Sequence, residues 1–139
     1  RELIELAVVE LACGALGETE IEALRMMVAL EEQAFAQGDM GTALRRSGEF
    51  HVRLAQAAGN QPYVNILRGL ISQTSLIMAM YGQGEIQCAR DEHNDLIKAL
   101  IAGDKTVCAE LMRHHLGHLR TSCDFNRRVK SGSLAMVLS

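Results

Sequence analysis

Three histidines, His51, His93 and His115, stand on the apolar sides of three separate stretches of helical periodicity. In SGEFHVRLAQAAGN, residues 47–60, a helix places His51 on one face with Ser47, Leu54, Ala55 and Ala58. In RDEHNDLIKAL, His93 shares its face with Leu96, Ile97 and Leu100. In AELMRHHLGHL, the face of His115 includes Leu111, Met112 and Leu119, with Cys108 two turns back. An imidazole aimed into a core needs a hydrogen-bonding group, an acid or a metal. A single inward histidine is ordinarily satisfied by a core hydrogen bond. Three suggest a shared role, because neutral imidazole is a good ligand for zinc, nickel, iron or copper. Three histidines with open positions are also how proteins present a metal to a small ligand.

The remaining polar candidates are weaker. His114 and His118 lie at i and i+4 on a more polar face, with no third ligand beside them in sequence, and read as solvated side chains. Glu49 is two residues from His51 and points to another face. Glu92 neighbours His93 but leaves its helix in a different direction, so no general base is evident and no HExxH pattern exists. Met78 and Met80 read as core packing.

The elements that must carry these histidines are helices. Segment one, Arg1 to about Ala15, spaces Leu3, Leu6, Ala7, Val9, Leu11 and Ala12 helically. Segment two opens at Thr19, with Glu22 in capping-box position, and runs to about Gln37. Gly38-Asp39 breaks it, and Asp39 caps segment three, which runs to about Ala58. Asn60 caps segment four, with Pro62 tolerated in its first turn, and Gly82-Gln83-Gly84 ends it. Segment four is apolar nearly all round and is expected to be the central, most buried helix. Segment five covers about Glu85 to Ala102, Gly103-Asp104 punctuates, and segment six runs from about Lys105 to beyond Phe125. Residues 131–139 read as a fraying or partner-docking end. The expected fold is all-α: one antiparallel bundle of about six helices with a central ligand or metal cavity.

Composition agrees. The chain has 139 residues, 48% of them apolar, one proline and no tryptophan, which suits one helical domain with a real core. A net charge of -3 argues against gripping a phosphate backbone; the late cluster Arg120, Arg127, Arg128 and Lys130 reads as a solvated helix end. The four cysteines, at 13, 88, 108 and 123, form no CxxC pair and read as buried or half-buried thiols of a reducing cytoplasm. No apolar run reaches transmembrane length, so no membrane partner is expected. The chain starts at Arg1 already inside a helical pattern, so it is expected to be part of a longer protein.

Four motifs in order carry a family resemblance: RELIE at 1–5, EFHVRLAQAAGN at 49–60, EHNDLIKALIAGD at 92–104 and AELMRHHL at 109–116. Together they resemble the FCD domain, the effector-binding C-terminal domain of the FadR branch of the GntR transcription regulators. The resemblance covers nearly the whole chain. It implies a metal held by three histidines, with those roles falling on His51, His93 and His115. The family's Asp, one turn before the first of them, is replaced here by Ser47, a poor ligand that removes a negative charge. Two outcomes stay open: three histidines hold a divalent metal, zinc or nickel, with water and effector completing its sphere, or the histidines bind an acidic effector without metal. Arg1 stands at the family's opening arginine, either to meet an effector carboxylate or to pair with Glu5.

The resemblance therefore implies an effector-binding and dimerising domain over 1–139, not an enzyme, that answers to a small carboxylic acid bound at Arg1, Ser47, His51, His93 and His115. It implies a cytoplasmic homodimer that meets DNA only through an upstream winged helix-turn-helix domain absent from this chain. The alternatives are a metal-dependent hydrolase using the three histidines and a purely structural helical dimerisation module.

Overall fold

Glycine followed by aspartate or asparagine sets three of the helix junctions. At Gly38-Asp39, Gly59-Asn60 and Gly103-Asp104 the glycine adopts positive φ and closes one helix. The next residue then caps the following helix: Asp39 accepts from the Thr42 N–H, Asn60 from Tyr63 and Asp104 from Val107, at 3.0, 3.2 and 3.0 Å. The computed structural model describes residues 1–83 and 87–126. Its helices are α1 (Glu2–Ala12), α2 (Glu18–Ala36), α3 (Met40–Ala57), α4 (Gln61–Tyr81), α5 (Gln87–Ala102) and α6 (Lys105–Thr121). No strand occurs among the described residues beyond one isolated bridge, so the fold is all-α as expected. The expected start of segment five at Glu85, the basic residues 127, 128 and 130, and the 131–139 end lie outside the described residues.

Two boundaries differ from expectation. Helix α2 begins at Glu18 with Gly17 as its N-cap and no side-chain cap, so Thr19 sits inside the first turn. Glu18 and Glu20 there favour the positive end of the helix dipole, which takes the place of a capping box. Helix α6 stops at Thr121, short of Phe125. Its exit pairs with the end of α4 instead: Gln83 N–H donates to Ser122 O at 3.0 Å and Asp124 N–H to Tyr81 O at 2.9 Å.

Packing partners place five helices in a closed ring. In order round it, α1 meets α6, α6 meets α5, α5 meets α2, α2 meets α3, and α3 returns to α1. Helix α4 lies outside, against α3 and α1. The ring is filled by Val8, Leu24, Phe50, Leu54, Leu96, Leu100 and Met112, all essentially excluded from water. A side chain of that size contributes about 1.5–3 kcal/mol by burial.

Helix α4 is thus not the central helix its composition suggests. Val64, Leu67, Ile71 and Met78 face inward, while Ile66 and Ile77 remain 47% and 40% exposed. A helix laid on one side of a bundle can bury only one stripe, whatever its other faces carry. Helix α3 is the inner one, burying Ala43, Ser47, Gly48, Phe50, His51, Leu54 and Ala55.

Glycine allows α3 and α4 to approach closely. A Cβ at Gly48 would lie 2.7 Å from Cγ2 of Ile71. Gly48→Ala is expected to destabilise the domain by about 1–3 kcal/mol through overpacking. Urea titration checks this, and an unchanged midpoint would mean that α4 moves away freely. Gly14, at φ +70, donates its N–H to Leu100 O at 2.9 Å and so ties the exit of α1 to α5.

Candidate metal centre

The ring geometry carries the histidines inward from three of its helices. His51 leaves α3, His93 leaves α5 and His115 leaves α6, and all three side chains are 2% exposed or less. Their Nε2 atoms meet. His51 Nε2 lies 3.1 Å from His115 Nε2 and 3.3 Å from His93 Nε2. The expectation of three inward imidazoles therefore becomes a single cluster of three ring nitrogens. Phe50 closes one side, stacked on the His93 ring with centroids 4.2 Å apart and edge-on to His51 at 5.5 Å.

The other ring nitrogens explain how the rings are aimed. Nδ1 of His51 faces Glu5 Oε2 of α1 at 2.5 Å. Nδ1 of His93 faces Glu31 Oε2 of α2 at 2.9 Å, and Nδ1 of His115 faces Glu92 Oε2 of α5 at 2.8 Å. A carboxylate oxygen can only accept, so hydrogen-bond geometry assigns each proton to Nδ1 and leaves a lone pair on each Nε2. Carboxylates behind imidazoles in this way fix the tautomer, hold the ring plane and raise ligand basicity. All five ring helices thus contribute a polar side chain to this cluster of histidines and glutamates, and α4 has no member in it.

These three glutamates are not evident from the sequence pattern of the histidines. A signal is nonetheless present: Glu5 lies on the same stripe as Val8, Val9 and Ala12, and Glu31 follows Leu24 and Val28 at helical spacing. Glu5 and Glu31 are 1% and 3% exposed, which acidic residues reach only with partners. Helical phase points Glu92 away from His93. It does leave α5 on another side, but α6 packs on that side and brings His115 to it.

Arg1 lies beside the centre. Its Nε–H donates to Glu5 Oε1 at 2.6 Å, which is the pairing that stands as the alternative to an effector contact. Ser47 is buried on α3 one turn before His51. His114 and His118 are not isolated solvated rings, as the sequence suggests, because Glu92 Oε1 reaches both: it lies 3.2 Å from His114 Nδ1 and in contact with His118 Nδ1.

Electrostatics separate the anions from the rings. Burial works to raise the pKa of Glu5, but His51 and Arg1 outweigh it and hold the carboxyl down at about 2. Burial pushes His51 down to about 3 against the pull of Glu5, with Arg1 and His115 adding to the lowering. Burial likewise lowers His115, opposed by Glu92 and helped by His93. Burial opposes the charge of Glu92 too, yet His115 and His118 keep it below its ordinary range. Two facing rings, His51 and His115, therefore stay neutral at pH 7, their Nε2 lone pairs aimed at each other with no proton between them.

This arrangement suits a divalent cation. A tetrahedral metal with nitrogen ligands at 2.0–2.1 Å sets its ligands about 3.3 Å apart along each edge. The observed 3.1 and 3.3 Å separations match that edge. Cys13 and Cys108 are free and buried, sulfurs 3.4 Å apart, with burial and that mutual contact pushing Cys108 up to about 12. No helix among the described residues is long and apolar enough to cross a membrane.

Comparison with known proteins agrees with the fold. The protein from E. coli called McbR/YncC has a solved structure that superposes with a TM-score of 0.71 at 20% identity, over 87% of this chain and 64% of that one. The chain thus spans less than two thirds of that structure, and the likeness at this identity is one of fold. No curated protein sequence matches significantly. The family model described as "FCD domain" matches residues 1–118, a span that includes all three inward histidines and the glutamates behind them, and the chain belongs to the FCD domain family.

Proposed function

We propose that this chain is the effector-sensing domain of a GntR-type transcription regulator, in which His51, His93 and His115 hold a divalent transition metal, zinc or nickel. The observation that carries this reading is the meeting of three Nε2 atoms in a buried centre, each ring backed by its own carboxylate. When bound, the metal supplies a Lewis-acidic position for a carboxylate oxygen of a small organic acid. Glu5, Glu31 and Glu92 orient the imidazoles. Arg1 meets the effector carboxylate through its terminal N–H groups while its Nε–H stays on Glu5. Ser47, in place of an acid, leaves the centre less negative and so favours an anionic effector.

The chain senses and does not catalyse. Glu5, Glu31 and Glu92 each turn Oε2 to an Nδ1–H, a role that orients the rings rather than one that takes a proton from a metal-bound water. The exposed apolar positions of α4, among them Ile66 and Ile77, suit a homodimer interface. Effector binding then shifts the balance between two arrangements of the dimer in the cytoplasm, and an upstream winged helix-turn-helix domain reads that shift on DNA.

The test is elemental analysis of desalted protein, followed by calorimetric titration with small carboxylic acids with and without zinc or nickel. One tightly held metal per chain and a saturable, metal-dependent acid response are expected. Protein that retains no metal and binds no acid would sink the reading. Glu31→Gln is expected to weaken the held metal about 10–100-fold, as loss of an orienting partner does, without removing a ligand. Competition with a calibrated chelator measures it.

A further inference from the structure

Beside the central histidines, a second group of side chains among the described residues is arranged like a ligand set. His114 and His118 lie one turn apart on α6 with ring centroids 4.1 Å apart, and Glu92 of α5 reaches across to both. Their ligand atoms all fall within 4.8 Å of one another. We propose that Glu92, His114 and His118 form a second divalent transition-metal site at the rim of the bundle, sharing the Glu92 carboxylate with the central histidines.

The shared carboxylate divides its work by atom. Oε2 accepts from His115 Nδ1 at 2.8 Å and faces the centre. Oε1 faces outward to His114 and His118. Oε1 of Glu92 and Nδ1 of His118 are both shut off from water, and neither makes a hydrogen bond. The two atoms face each other as an ion pair without a well-directed hydrogen bond, and a cation coordinated by both would satisfy each. The 3.2 Å from Oε1 to His114 Nδ1 matches the edge of a tetrahedral zinc sphere. Two imidazoles and one carboxylate are a known zinc donor set.

Exposure decides the character of the site. The side chains of Glu92, His114 and His118 are 13%, 60% and 44% exposed, against 2% or less for the central rings. The rim site therefore keeps positions open to water and exchanges its ion readily. It also communicates with the centre. A cation on Oε1 draws charge from the carboxylate that orients His115, so the central histidine becomes a weaker ligand.

Zinc titration of the metal-stripped chain, with competition by a calibrated indicator, tests the proposal. Wild type is expected to take up two equivalents, the second more weakly and with faster exchange. The double variant His114→Ala/His118→Ala is expected to lose the weaker equivalent and keep the tighter one. Its circular dichroism should be unchanged, because both rings project from the outer side of α6 and neither belongs to the apolar core. His93→Ala is expected to lose the tighter equivalent and keep the weaker, so failure of the central site and failure of the rim site are distinguishable. Identical zinc stoichiometry in wild type and the double variant would overturn the proposal. If His93→Ala fails to fold, cobalt spectra of wild type and of the double variant decide between the two results, since only a rim site adds a second set of ligand-field bands in wild type.

Discussion

Zinc supplied at a thousandfold excess over its dissociation constant is expected to stabilise the metal-free domain by roughly 4 kcal/mol. At this chain length that corresponds to a rise in melting temperature on the order of 10 °C. The expectation follows from three Nε2 atoms that meet in one buried centre, where a cation would join them. His51→Ala is expected to abolish most of the rise, because two remaining imidazoles bind far more weakly than three. The variant also leaves Glu5 buried with Arg1 alone, so its own baseline should drop by about 1–3 kcal/mol. The comparison that matters is therefore the zinc-induced shift within each protein. Differential scanning calorimetry with and without zinc measures it, and equal shifts in wild type and His51→Ala would dispose of the central site.

Acid is the second strong lever. His51 is held at about 3 in the folded chain against 6.5 for a free imidazole, so the native state refuses a proton that the unfolded state accepts. A group with a lowered folded value contributes stability above its unfolded value and loses it as pH falls. The window is accordingly from about 6.5 down to about 3. His115 is shifted in the same direction and adds to the loss. Glu5, held at about 2 and ordinarily near 4.5, extends it at the acid end, since its stabilising charge is lost only as pH falls through its lower value. At about 1.4 kcal/mol for each pH unit separating the folded and unfolded values, His51 alone accounts for several kcal/mol, a large share of a typical domain's margin. Urea unfolding of metal-free protein between about pH 4 and 8 should show stability falling steeply below about 6.5. A flat profile would mean that His51 and His115 are protonated without cost and are not enclosed.

Much of this architecture is legible in the sequence. The Gly-Asp and Gly-Asn junctions are local chemistry: a left-handed residue and a capping side chain act within a few residues of themselves. The direction of His51, His93 and His115 is legible for a similar reason, since each lies on a stripe of its own helix. Their meeting is not, because helical phase says which side a residue faces and nothing about which helix lies there. Glu92 illustrates the limit. Its angle on α5 follows from its position, but its role depends on α6 occupying that side. Helix α4 illustrates the converse: its residues look buried all round, but the single chain supplies neighbours for one stripe only. Glu5 and Glu31 pose a question that sequence does raise, why an acid interrupts an apolar stripe, and it is as informative as an inward histidine.

The ring of five helices, each lending the centre a side chain, has one more consequence. An ion held there would be bound to three helices of the wall and, through the glutamates, to the other two, so releasing any one helix from the rest would require giving up part of its grip. Amide hydrogen exchange should accordingly slow together in α1, α2, α3, α5 and α6 on loading, while α4, which has no member in that hub, keeps its own pace. The domain would then behave as a barrel hooped from within, its outer stave left free to answer to whatever lies against it.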